Sequence, residues 1–131
     1  MSPVTHLLIS WSIANTTPLN RRERALVTLS GVVPDIDGLG LIADVIPGIS
    51  GKPLELWDRW HHVLGHNIGF GLLCALCALL FSRRRFSTCL LSLVAFHTHV
   101  LCDLVGARGP DGYQWPIPYL LPFSDAWHLQ W

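Results

Sequence analysis

The chain is poor in charge. Only 14% of its 131 residues are Asp, Glu, Lys or Arg, against about 25% in an ordinary soluble domain, while 50% are hydrophobic. This scarcity argues for a chain embedded in a membrane. The nine basic and nine acidic side chains cancel, so there is no basic surface for nucleic acid and that class is excluded. Cysteine is missing from every loop. Cys74, Cys77, Cys89 and Cys102 lie inside apolar runs, which excludes a disulfide framework, and the C-x-x-C within "LLCALCALLF" is expected to pack or face lipid as small side chains. The opening "MSPVTHLLISWSIA" lacks a basic region and a small-residue cleavage site, so it is expected to stay as a first helix. The length suits one domain, residues 1–131.

What is present is a series of four apolar segments. The first runs from about Val4 to Asn15 and is closed by "TTPLN". The second runs from near Arg24 through "ALVTLSGVV" to Pro34, which cannot continue a helix comfortably. The third is expected to begin around Leu54, pass through "LWDRWHHVLGHN" and end at "SRRR". The fourth covers about Phe86 to Val105 and stops at "GARGPDG". The third and fourth are apolar on all sides near the arginines and approach the roughly 20 residues of a membrane span. The pattern predicts an all-α, compact up-and-down bundle of four to five helices embedded in the membrane, followed by an irregular Pro/Trp-rich C-terminal segment. Arg21, Arg22, Arg24, Arg83, Arg84 and Arg85 mark two turns that share one end of such a bundle. The excess of positive charge makes that end cytoplasmic.

The topology sends the remaining polar residues to the opposite end. His6 starts the first helix, Asp35 and Asp37 follow the second, and His61, His62 and His66 are expected in the first half of the third. His97, His99 and Asp103 close the fourth. At 100° per residue, His99 and Asp103 lie about 40° apart on one face, as would His62 and His66, whereas His97 and His99 lie about 160° apart and cannot share a site. Burying such groups unpaired costs on the order of 2 to 7 kcal/mol each. Asp103 is the hardest to dismiss, because an acid within an apolar segment marks a functional site by default. His97, by contrast, suits a hydrogen-bonding partner between helices, Asp35 and Asp37 could equally cap a turn, and His6 could sit at the interface. Taken together, His6, Asp35, Asp37, two or three of the third-helix histidines, His99 and Asp103 supply enough nitrogen and oxygen ligands for one or two divalent ions. A structural zinc finger is excluded by the absence of cysteine from the cluster.

The order His6, "PDID" at 34–37, "HHVLGH" at 61–66, "HVLCD" at 99–103, then "WP" and "LLPFS", resembles the YdjM-like family of membrane-bound predicted metal-dependent hydrolases. That family is similar in pattern to zinc-dependent phospholipase C. The resemblance covers nearly the whole chain. It implies metal ligands at His6, Asp35, Asp37, His61, His66, His99 and Asp103, and a metal-activated water acting on a phosphoester, a phospholipid being one candidate. Zn2+ is the expected ion, with Mn2+ or Mg2+ as alternatives, in the inner (plasma) membrane. Where family members often carry Arg-Gly after the first histidine of the pair, this chain has His62 and Val63, so one of His61 and His62 is a ligand while the other binds substrate or orients a neighbour.

Asp35, Asp37 and His62 are the candidate catalytic groups. In the tail, Trp115, Tyr119, Trp127 and Trp131 suit a membrane–water boundary, with the segment folded over the metal end. Arg108 there could bind a substrate phosphate, while Asp125 and His128 are expected to be interfacial decoration. The main rival is a membrane protein that binds or moves a metal ion without hydrolysis. It should show polar groups continuing toward the arginine end, an end that "GLLCALCALLF" and "CLLSLVA" are expected to leave dry. A bis-histidine haem has no use for the His-Asp pairs.

Overall fold

The computed structural model describes residues 2–40, 44, 60–106, 112 and 115–131. Among them are four α-helices and one 3-10 segment, Val33–Leu39, in an all-α bundle. α1 spans Pro3–Ala14, started by Ser2, whose hydroxyl accepts from the Thr5 N–H, and by Pro3 in the first turn. α2 spans Arg21–Ser30 behind a capping box in which Asn20 and Glu23 satisfy each other's main-chain N–H groups. α3 spans Ile68–Phe81 and α4 spans Arg85–Gly106. α4 is the central element, packed against α1, α2 and α3.

Small residues set the closeness of packing. α3 buries only Gly71, Ala75 and Ala78, and a Cβ on Gly71 would lie 2.6 Å from the Phe96 ring. Gly31, which ends α2, abuts α1 and α4: a Cβ there would run into the Ser10 side chain and approach the Ala95 carbonyl oxygen to 3.1 Å. Ala14, Leu19, Val27 and Ala95 form one apolar core, and Phe96, Val100 and Ile117 a second. The outward faces are apolar as well, with Leu72, Leu73, Leu76 and Leu80 of α3 and Leu90, Val94, Leu101 and Val105 of α4 exposed.

The third segment is broken where a continuous helix is expected; its expected start near Leu54 lies outside the described residues. Residues 61–67 form turns and bends, and the helix begins only after Asn67, whose side chain accepts from the Phe70 N–H and donates to the Val63 and Leu64 carbonyls. The tail then completes the start of α3. The carbonyls of Tyr119 and Leu121 accept from the Ile68 and Gly69 N–H groups at 2.7 and 3.0 Å, satisfying donors that a helix leaves orphaned. α3 is therefore 14 residues long, short of a span, and α4 with its 22 residues is the one helix among those described long and apolar enough to cross a membrane. The expected angular relation of His62 to His66 along a helix does not apply, because neither lies in one.

Candidate metal centre

The expected gathering at one end is present, and Asp103 is its hub. One carboxylate oxygen, Oδ1, lies 3.1 Å from His6 Nε2. The other, Oδ2, lies 3.2 Å from His66 Nε2 and 3.1 Å from His99 Nε2. α1, the loop before α3 and α4 itself thus each present a ring nitrogen to a single carboxylate, which is almost fully buried. Asp35 Oδ1 stands 3.8 Å from His99 Nε2. His6, Asp35, His99 and Asp103 form one group able to hold an ion, and His62, His66 and Asp103 a second, with ligand atoms in each group within 4.8 Å of one another. Asp103 belongs to both, the position a bridging carboxylate would take.

The chemistry of this donor set fits a cation. His99 Nδ1 lies 3.0 Å from the Gly31 carbonyl, which can only accept, so Nδ1 carries the proton. A neutral His99 therefore aims the lone pair of Nε2 at the Asp103 carboxylate and at His66 Nε2, 3.0 Å away. Lone pairs facing one another at this distance need a proton or a metal ion between them. Orientation of one imidazole nitrogen by a main-chain carbonyl is the usual support for a metal-binding histidine. Buried atoms with no hydrogen-bond partner among the described residues point the same way, and include His6 Nδ1, Asp35 Oδ2 and both nitrogens of His62.

Asp37 and His61 occupy a layer behind this one. Asp37 Oδ1 accepts from His61 Nδ1 at 2.8 Å, and Oδ2 is shared between His66 Nδ1 at 3.2 Å and the Gly65 N–H at 3.3 Å. The loop reaches Asp37 because Gly65 has no Cβ, which would lie 2.7 Å from Pro34 Cα. Burial opposes charge on Asp37, but the bonds from His61 and His66 outweigh it and hold its carboxyl well below the usual carboxylate range. Burial likewise opposes charge on His66, yet Asp103 and Asp37 flank its ring and raise it to about 9. His62 has the opposite environment. Burial first, then the neighbouring His66 and His61, depress it to about 3, so it stays neutral. Its backbone is left-handed, with φ 67, a conformation costing about 1 to 3 kcal/mol for a non-glycine residue and clustered at functional sites.

Trp115 closes the outer side of the centre, with its ring centroid 4.7 Å from those of both His61 and His62. This agrees with the expectation that the tail folds over this end. His97 is set apart, on the exposed side of α4, where it bonds the Leu93 carbonyl and, at 2.7 Å, the Tyr119 hydroxyl. Its partner is therefore the tail rather than another helix. Asp125 and His128 are exposed. Arg108 lies outside the described residues. The residues that sequence reasoning missed are Gly31 and Gly65, whose contribution is a carbonyl and a close approach. Glycine directly after an apolar helix segment is the signal that could have marked Gly31.

A family model described as YdjM inner membrane protein matches residues 1–131. The chain belongs to that family. No curated protein and no solved structure matches it. The family description names a membrane and no reaction, so any chemistry attributed to this YdjM-family chain rests on the cluster itself.

Proposed function

We propose that this chain is a metal-dependent hydrolase of the inner membrane, acting on a phosphoester, with lipid phosphoesters among the candidate substrates, and with its arginine turns on the cytoplasmic side. The observation that carries the reading is the sharing of Asp103 by His6, His66 and His99. Nitrogen and oxygen donors without thiolate suit Zn2+, and also Mn2+. A bound divalent ion would supply Lewis acidity at a phosphoryl oxygen and a water acidic enough to ionise near neutral pH.

The side chains divide the remaining work. Gly31 holds the His99 ring and Asp37 the His66 ring, so that both Nε2 atoms stay turned toward Asp103. Asp37 is engaged by three donors, which leaves Asp35, with Oδ2 unpartnered among the described residues, and His62 as the groups able to take a proton. His62 is kept neutral by burial and would bind a proton only transiently. Trp115 keeps bulk water from the His61 and His62 side. The test is metal analysis of detergent-purified protein, followed by a phosphodiesterase assay on soluble and lipid substrates with and without chelator. Stoichiometric metal and chelator-sensitive turnover are expected; a protein that retains turnover after complete metal removal sinks the reading.

One observation favours the non-enzymatic alternative. Buried hydroxyls do continue toward the arginine end, at Ser10, Ser30, Ser92 and Thr88, so that end is less dry than its sequence implies. Ser30 bonds a carbonyl of its own helix and Thr88 the Arg84 carbonyl just before α4, however, and Val27 and Ala95 interrupt the row with apolar side chains. Metal uptake into proteoliposomes would favour transport.

A further inference from the structure

The arginine end holds a second feature, separate from the metal centre. A cavity of about 490 Å³ opens between the turn joining α1 to α2 and the turn joining α3 to α4, lined by Asn20, Glu23, Arg24, Arg83 and Arg84 among others. The Glu23 carboxylate is spent on main-chain groups, and the Arg84 charge also helps keep it ionised. Its Oε2 accepts the Asn20 N–H at 2.9 Å, and its Oε1 accepts the N–H groups of Arg83 and Arg84 at 3.0 and 2.7 Å. Among the described residues, no arginine forms an ion pair with Glu23.

We propose that this cavity binds the phosphate of an anionic phospholipid headgroup. Guanidinium groups match phosphate oxygens in bidentate geometry, and basic pockets on the cytoplasmic side of membrane proteins are suited to such headgroups. The site is built in advance of its ligand. Glu23 pins the main chain of Arg83 and Arg84 to the α2 cap, and Thr88 secures the Arg84 carbonyl at 2.9 Å. Two neighbouring arginines are already committed, Arg24 to Asn15 at 3.1 Å and Arg22 over the Phe81 ring, whereas the guanidinium groups of Arg83 and Arg84 have no side-chain partner among the described residues. Leu80, Phe81, Phe86 and Leu90 flank the arginines in sequence and are 51% to 87% exposed. Exposed apolar side chains on the helix ends either side of the arginines, outside the cavity lining itself, suit a phosphate attached to acyl chains better than free phosphate.

Native mass spectrometry of the full chain tests the site, with phosphatidylglycerol and phosphatidylcholine of matched acyl chains as probes and inorganic phosphate as competitor. Phosphatidylglycerol adducts are expected to exceed phosphatidylcholine adducts and to fall about tenfold in the Arg83→Gln/Arg84→Gln protein. The Arg21→Gln/Arg85→Gln protein removes the same charge outside the cavity lining and should keep most of its adducts, with circular dichroism confirming equal helix content in both. Equal binding of the two lipids, or equal losses in the two double variants, overturns the proposal. Displacement of the lipid by millimolar inorganic phosphate overturns the lipid assignment in favour of a free anion.

Discussion

The two ends of this bundle bury a carboxylate in opposite ways. Glu23, at the arginine end, accepts three main-chain N–H groups. Asp103, at the other end, faces three imidazole nitrogens. Main-chain donors cannot titrate, leave or bind a metal, so Glu23 is a fastener whose partners are fixed once the turns form. Imidazoles can do all three. A carboxylate surrounded by such groups stays exchangeable, and a centre of this kind can change its ion or its protons without unfolding the helices that carry it.

The strongest way to break the contrast is to remove the hub. Asp103→Ala should reduce metal content to background and abolish chelator-sensitive turnover, since it strips a shared ligand from both groups of donors. Destabilisation of the order of 3 to 5 kcal/mol is expected for breaking a buried pair. Glu23→Gln should do the reverse, lowering the melting temperature by several degrees while leaving bound metal per folded protein unchanged. Parallel metal analysis and thermal melts of the two variants decide the matter, and equal metal loss in both would erase the distinction between the ends.

The distinction within the metal end is finer. Asp37 lies behind His66 and outside both ion-holding groups, so Asp37→Asn should weaken metal binding by about 10- to 100-fold, the usual cost of losing an orienting partner, rather than abolish it. Titration of the variant with Zn2+ against a competing chelator measures this. Complete loss of binding would promote Asp37 to a direct ligand.

The arrangement was partly legible from sequence. α1, α2 and α4 follow from their caps, turns and apolar runs, and the up-and-down order alone brings His6, His99 and Asp103 together. The break before α3 was hidden because "WHHVLG" runs into an apolar segment without a proline to stop it. Asn67 as a cap and Gly65 before it were the available signals. What no spacing rule could supply was the contact of Gly65 with Pro34, which carries the loop histidines to Asp37 across a gap of more than twenty residues. The role of Glu23 was equally hidden, since its partners are main-chain groups that have no letter in the sequence.

Protons sharpen the comparison further. In metal-free protein the raised His66 favours the folded state below its ordinary value of 6.5, and that contribution is lost as pH rises through about 9. His62 acts in the opposite sense. With its folded value depressed to about 3, it costs stability once pH falls below about 6.5. The melting temperature of chelator-treated protein should therefore decline between pH 6.5 and about 9, and the decline should vanish in His66→Gln. A metal ion competes with the His66 proton, so metal affinity should rise over the same interval. An unchanged alkaline decline in His66→Gln would mean that another group carries it.

The smallest effect is expected at His97, two residues before His99 on the same helix. His97 points to the tail, and its ring bonds the Tyr119 hydroxyl and the Leu93 carbonyl at an exposed position. His97→Ala should cost no more than about 1 kcal/mol, the ordinary net worth of a hydrogen bond, and leave metal content intact. The Tyr119 carbonyl also caps α3, so loosening this residue should show as faster amide exchange at Ile68 before it shows in turnover. Loss of metal in His97→Ala would mean that the exposed face of α4 belongs to the centre after all, and that the geometry separating it from His99 does not separate their roles.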